Sequence, residues 1–260
     1  MAPVDSYGID SPVNQTAQLV GSVITFSITL IAVIATLALC RKERIAWPLL
    51  VLVSGTVTFL LEPLYDHLYG LWFQVQGQWN AVVTYDIHIP IWLPGIYVAY
   101  YGACTIFFWY RLHRGANMRD VAIHYTISVI LAGLAEQFYI NGVHLYNYQD
   151  HQPFFIFNYP IFVAVINGVP PMLAGIVYYR LVPLLEGWSK LVLLAVVPIC
   201  FATNSFGSGF LYLALRHASQ RQPMFVLSLG ALTCVAGSVG VIWIAAKLAG
   251  VGSKQLAYAS

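Results

Sequence analysis

The chain reads as an all-α, polytopic membrane protein with seven transmembrane helices, the N-terminus outside or lumenal, and one transmembrane domain over residues 1–260. Three observations predict this. Composition comes first: 59% of the residues are hydrophobic, 8% are charged and the mean hydropathy is +0.73, against about 25% charged in soluble domains. Apolar windows of about 20 residues, the length that crosses a bilayer, come second; they fall at roughly 17–40, 46–68, 89–110, 121–143, 155–179, 189–215 and 223–248. Charge asymmetry is third, because short cytoplasmic loops retain Lys and Arg. Ten of the twelve basic residues follow odd-numbered spans, with only Arg216 and Arg221 after the sixth.

Each span has its own signature. The first lacks Lys and Arg in the sixteen residues before it and shows no small-residue cleavage site, so it is expected to be a retained anchor. Arg41, Lys42 and Arg44 close it. The second carries Glu62 and, directly after it, Pro63, which predicts a distorted helix beside an interior space. Pro90 and Pro94 open the third, and Arg111, Arg114 and Arg119 follow it. Glu136 lies in the fourth, and Pro170-Pro171 follow Asn167 in the fifth. Arg180 and Lys190 bracket the connection to the sixth, whose polar residues are Thr203, Asn204, Ser205 and Ser208. The sixth and seventh spans form a hairpin over about 189–248 without any acid, where Gly207, Gly209, Gly230, Gly237 and Gly240 suit close helix contact. Packing is its expected role, with Asn204 a pocket contributor.

Seven of the ten acids (Asp5, Asp10, Glu62, Asp66, Asp86, Glu136 and Asp150) fall in the non-cytoplasmic half. The net charge of +2 thus reflects topology, and no basic patch points to nucleic acid. Cys40, Cys104, Cys200 and Cys234 fall in or beside spans without C-x-x-C spacing and read as small buried apolar residues. Asn14-Gln15-Thr16 matches a glycosylation sequon on the correct side but abuts the first span.

An internal repeat carries the two membrane-embedded glutamates. Ten residues after Glu62 and Glu136 stand Trp72 and Tyr146, and sixteen after them Gln78 and Gln152. An Ile-Pro-Ile or a Tyr-Pro-Ile then opens the next apolar run. The units span about 46–110 and 120–180 and point the same way, so they form a parallel repeat of helix hairpins about the membrane normal. A carboxylate at membrane depth costs roughly 2.5–3.5 kcal/mol and reads as functional.

Acid and aromatic residues dominate the non-cytoplasmic side. Glu62 and Asp66, four apart, share a helix face. Desolvation disfavours a charged carboxylate, and two carboxyl groups in one pocket compound that effect, so one member is placed to donate a proton. Electron-rich aromatic faces stabilise a cation formed beside them. Acid, aromatic cage and little water together suit carbocation chemistry on an isoprenoid. Candidate catalytic residues are therefore Glu136, the acid, with Glu62 its partner and Asp66 in support. Candidate substrate contacts are Trp72, Tyr139, His144, Tyr146, Tyr148, Asn158 and Asn167. No phosphate-cradling loop, Asp-rich metal motif or redox signature is present, and proton-initiated chemistry needs neither metal nor cofactor.

The motif Glu62-Pro63-Leu64-Tyr65-Asp66, its counterpart Glu136-Gln137-Phe138-Tyr139-Ile140-Asn141 and the run His144-Leu145-Tyr146-Asn147-Tyr148 resemble the small seven-helix membrane terpene cyclases of fungal meroterpenoid pathways, of the ascofuranone and ascochlorin type. The run after the second glutamate is also similar to membrane carotenoid hydratases. In residues the likeness covers about 62–92 and 136–171. It implies a cyclase that protonates an epoxide or olefin of a prenylated substrate, in the endoplasmic reticulum of a eukaryote, beside other enzymes of a biosynthetic pathway. The better-known branch pairs its glutamate with an aspartate near the chain end, whereas no acid follows Glu186 here. Glu136 must then be the partner. A proton-coupled transporter is the competing reading, since intramembrane acids also build relays. It requires acids towards both faces, and these cluster in the outer half. A retinal protein would need a lysine deep in the last helix, and Lys247 lies at its cytoplasmic end.

Overall fold

Asn14 starts the first helix: its side chain accepts the backbone N–H of Ala17, replacing a bond the helix cannot make internally. The computed structural model describes residues 12–149 and 151–252; Asp5, Asp10, Asp150 and Lys254, which enter the charge count, lie outside the described residues. Helix α1 (Gln15–Glu43) ends at Arg44 in the left-handed region, with Arg41 and Lys42 in its last turn. The second span is α2 (Pro48–Val57), a 3₁₀ turn (Thr58–Leu61) and α3 (Glu62–Tyr69). Next come α4 (Leu93–Tyr97), a π-helix (Val98–Ala103) and α5 (Cys104–His113) without interruption. Helix α6 (Met118–Gln137) runs into a second π-helix (Phe138–Gly142). Then follow α7 (Phe162–Asn167), α8 (Val169–Leu181), α9 (Val196–Ala202) with a third π-helix (Thr203–Ser208), α10 (Phe210–Arg216) and α11 (Met224–Leu248).

Six of these helical segments are long and apolar enough to cross a membrane: Gln15–Glu43, Pro48–Tyr69, Met118–Gly142, Phe162–Leu184, Gly187–Ser208 and Met224–Leu248. The segment from Leu93 to His113 is helical throughout, but Tyr97, Tyr100, Tyr101 and Tyr110, with Pro94 and Gly95, keep it less apolar than the six. It lies alongside α1. Thr29 Oγ1 donates to the Gly95 carbonyl at 2.9 Å near one end, and Tyr110 meets Lys42 and Glu43 at 3.4 and 3.3 Å near the other.

Proline breaks shape the interior, and three of the carbonyls they orphan find another donor. Pro63 has no N–H for Phe59, so the 3₁₀ turn lets the Glu62 N–H bond that carbonyl instead. Pro170 leaves Ile166 free, and Asn204 Nδ2 donates to it at 2.9 Å. Pro198 leaves Leu194 free, and Ser54 Oγ donates to it at 2.9 Å. Asn204 therefore caps a break rather than lining the pocket.

The all-α expectation misses six short strands among the described residues, in the loops. Strand β1 (Leu71–Phe73) pairs antiparallel with β4 (Tyr146–Tyr148), joining the two excursions, with Trp72 opposite Asn147. Strands β2 (Asn80–Thr84) and β3 (Ile87–Pro90) form a hairpin over Tyr85 and Asp86, both at positive φ. Strands β5 (Phe155–Ile156) and β6 (Tyr159–Pro160) do so over Phe157 and Asn158, also at positive φ. Tight two-residue hairpins demand that conformation. The fifth helix consequently starts at Phe162 and the third at Leu93, not at 155 and 89, because apolar strand residues extend the apolar windows.

Candidate functional site

Beneath the β1–β4 pair lies a cavity of about 260 Å³ whose wall includes both Glu62 and Glu136. Glu62 begins α3 where Pro63 restarts the helix, and Glu136 closes α6 just before the π-helix. Such π segments recur at functional sites. Another, Val98–Ala103, contributes Tyr100 and Tyr101 to the same wall, with Tyr97 just before it.

The two carboxyl groups have different partners. Glu136 Oε2 accepts from Tyr146 Oη at 2.8 Å, while its Oε1 lies 3.4 Å from both Tyr148 Oη and Asn167 Nδ2. Asn167 is itself oriented by Tyr65, whose hydroxyl donates to Asn167 Oδ1 at 3.0 Å. Glu62 accepts a hydrogen bond from the Tyr97 hydroxyl. Burial, with Glu136 alongside, holds the Tyr146 and Tyr148 phenols well above the usual tyrosine range, so both stay donors.

Aromatic rings enclose the remaining space. Trp92 stacks on Tyr139 at 4.3 Å and 2° between planes, and Tyr139 also bonds the Thr25 hydroxyl. Phe73 meets Tyr146 edge-on at 5.2 Å, and Tyr97 packs against Tyr101 at 4.6 Å. Offset and edge contacts of this kind fix ring orientation and add about 0.5–1.5 kcal/mol each.

The structure brings together Glu62, Glu136, Tyr139, Tyr146 and Asn167 in the wall, with Tyr148 one bond behind Glu136. Asp66 lies one turn beyond Glu62, outside the wall and fully buried, and neither carboxylate oxygen has a hydrogen-bond partner among the described residues. Trp72 stands on the opposite face of β1 from Leu71 and Phe73, which line the cavity, as strand alternation requires. His144 and Asn158 are exposed on the outer loops, and Asn158 Nδ2 donates to Asn141 Oδ1 at 2.9 Å. Sequence reasoning missed Tyr97, Tyr100 and Tyr101. Their signal was present: tyrosines spaced i, i+3 and i+4 well inside a span, away from the interfacial depth where tyrosines usually gather.

No protein-family model, no curated protein and no solved structure matches this chain.

Proposed function

We propose that the protein is a membrane-embedded, proton-initiated terpene cyclase, as its resemblance implies, acting on a prenylated substrate whose epoxide or terminal olefin sits between the two glutamates. The observation that carries this reading is a single aromatic cavity holding both intramembrane carboxyl groups. Seven crossings and a parallel pair of acid-bearing hairpins complete the proposal.

Glu136 is the acid. As its proton leaves for the epoxide oxygen or the olefin carbon, negative charge develops on a carboxylate already faced by Tyr146, Tyr148 and Asn167. The neighbouring double bond donates its electron pair to the cationic carbon, closing a ring and moving the charge along the chain. Rings of Trp92, Tyr97 and Tyr101 stand where that cation passes. Glu62, with Tyr97 as its one donor, accepts the proton lost from carbon when the final double bond forms. One proton enters and one leaves, so substrate and product have equal mass, and transfer between the glutamates resets the pair.

Incubating the protein in nanodiscs with a farnesylated phenol carrying a terminal epoxide tests this. An isomer of unchanged mass is expected, lost in Glu136→Gln and Glu62→Gln. Full turnover in both variants removes the proposal. A product heavier by one water assigns the site to a hydratase instead. In D₂O, a carbon-bound deuterium identifies olefin protonation, whereas epoxide opening leaves only an exchangeable hydroxyl deuterium.

A further inference from the structure

The cavity is closed towards the β1–β4 pair: Leu71, Phe73 and Tyr146 of that pair, and Trp92 of the Trp92–Tyr139 stack, are each 5% exposed or less. Yet the cavity is open on one side, and two of its wall residues, Ile28 and Leu131, are each 45% exposed. They stand on α1 and α6, both at membrane depth.

Hydrogen bonds frame the gap. At one end, Thr25 of α1 and Tyr139 of the π-helix after α6 are joined through their hydroxyls. At the other, Tyr100 Oη of the Val98–Ala103 π-helix donates to the Ser128 carbonyl of α6 at 2.8 Å. Between these ties the wall is built from the small side chains of Ala99 and Ala135, which fill little of the gap.

We infer that this gap is a lateral portal through which an extended, lipid-dissolved isoprenoid chain enters the acid pocket directly from the bilayer. The inference rests on the isoprenoid reading above and adds the route to it. An apolar chain already dissolved in lipid need not cross water, and the closure towards the β1–β4 pair keeps water from a cation formed inside.

The portal is tested in proteoliposomes with a farnesol analogue bearing a terminal diazirine, photolysed and mapped by peptide mass spectrometry. Adducts are expected on the interior segment containing Tyr97 and Tyr101. Leu131→Trp and Ile28→Trp, substitutions on two lipid-facing jambs, should each cut that interior labelling at least fivefold. Leu134→Trp, on the same helix but outside the wall, should leave it unchanged. Glu136→Gln should retain labelling while losing turnover, so a wild-type protein that labels without turning over keeps the portal and removes the cyclase. Absence of interior labelling in the wild type, or unchanged labelling in both plugged variants, overturns the portal.

Discussion

Glu136 is met by three donors and Glu62 by one, and that asymmetry sets what each substitution should do. Glu136→Gln removes the transferable proton and should lower turnover by about 10²–10⁴-fold, the usual worth of a general acid. Tyr146→Phe removes only the closest donor and should lower it by about 10-fold, or ~1.4 kcal/mol of transition-state stabilisation. Turnover per mole of folded protein checks both, and equal losses would contradict the division of labour. Asp66 presents the opposite case. A buried, unpartnered polar group costs about 1–3 kcal/mol, more when charged, and both Asp66 oxygens are in that state. Asp66→Leu, which replaces both unpartnered oxygens by methyl groups, should therefore raise the melting temperature while lowering turnover, the trade expected of a residue kept for function. A lower melting temperature with unchanged turnover would make Asp66 purely structural.

The elements that place these residues are held by close backbone contact and by proline breaks. A Cβ on Gly55 would sit 2.6 Å from the Gly102 nitrogen and 2.8 Å from its Cα. Both are backbone atoms, so α2 and the π-helix would have to separate. Gly55→Ala should lower thermal stability and turnover together, because Tyr100 and Tyr101 flank Gly102. Gly133→Ala, whose Cβ would find only Ala164 at 3.8 Å, should change neither. Melting curves and turnover in the same nanodisc preparation decide this. Sequence made part of this level legible: spans by apolar length, the break beside Glu62 by Pro63, and Glu136 as a candidate by an acid in an apolar run. It did not reveal which polar residue answers each break, since Ser54 and Leu194 are joined only by tertiary packing. Nor did it reveal the hairpins, because Phe155 and Ile156 are as apolar as a span and only backbone reversal at Phe157–Asn158 ends the strand. His144 and Asn158 each sit at positive φ themselves and are exposed on the loops.

At the scale of the whole molecule, the segment from Leu93 to His113 decides which side each terminus occupies. Six crossings would leave both ends on one side, and seven would separate them. Hydropathy is a weak guide here, because the tyrosines that lower it are the ones that build the cavity. Packing is a better one. The segment starts against Thr25 and Thr29 of α1 and ends beside Lys42 and Glu43, so it follows α1 from Thr25 to the end of that helix, in the same direction. Its far end also packs Trp109 edge-on against Trp47, next to the basic residues that close the first span. The proposed seventh crossing rests on this packing, and it would put ten of the twelve basic residues on one side of the membrane. A glycosylation acceptor fused to the N-terminus should accordingly be modified in microsomes, and the same acceptor at the C-terminus should not. The natural Asn14 should stay unmodified, since its side chain caps α1 at the bilayer edge. Equal modification of both fused acceptors would reduce the crossings to an even number, turn the third helix back before the far interface, and leave Tyr97 without a membrane-spanning segment to hold it against Glu62.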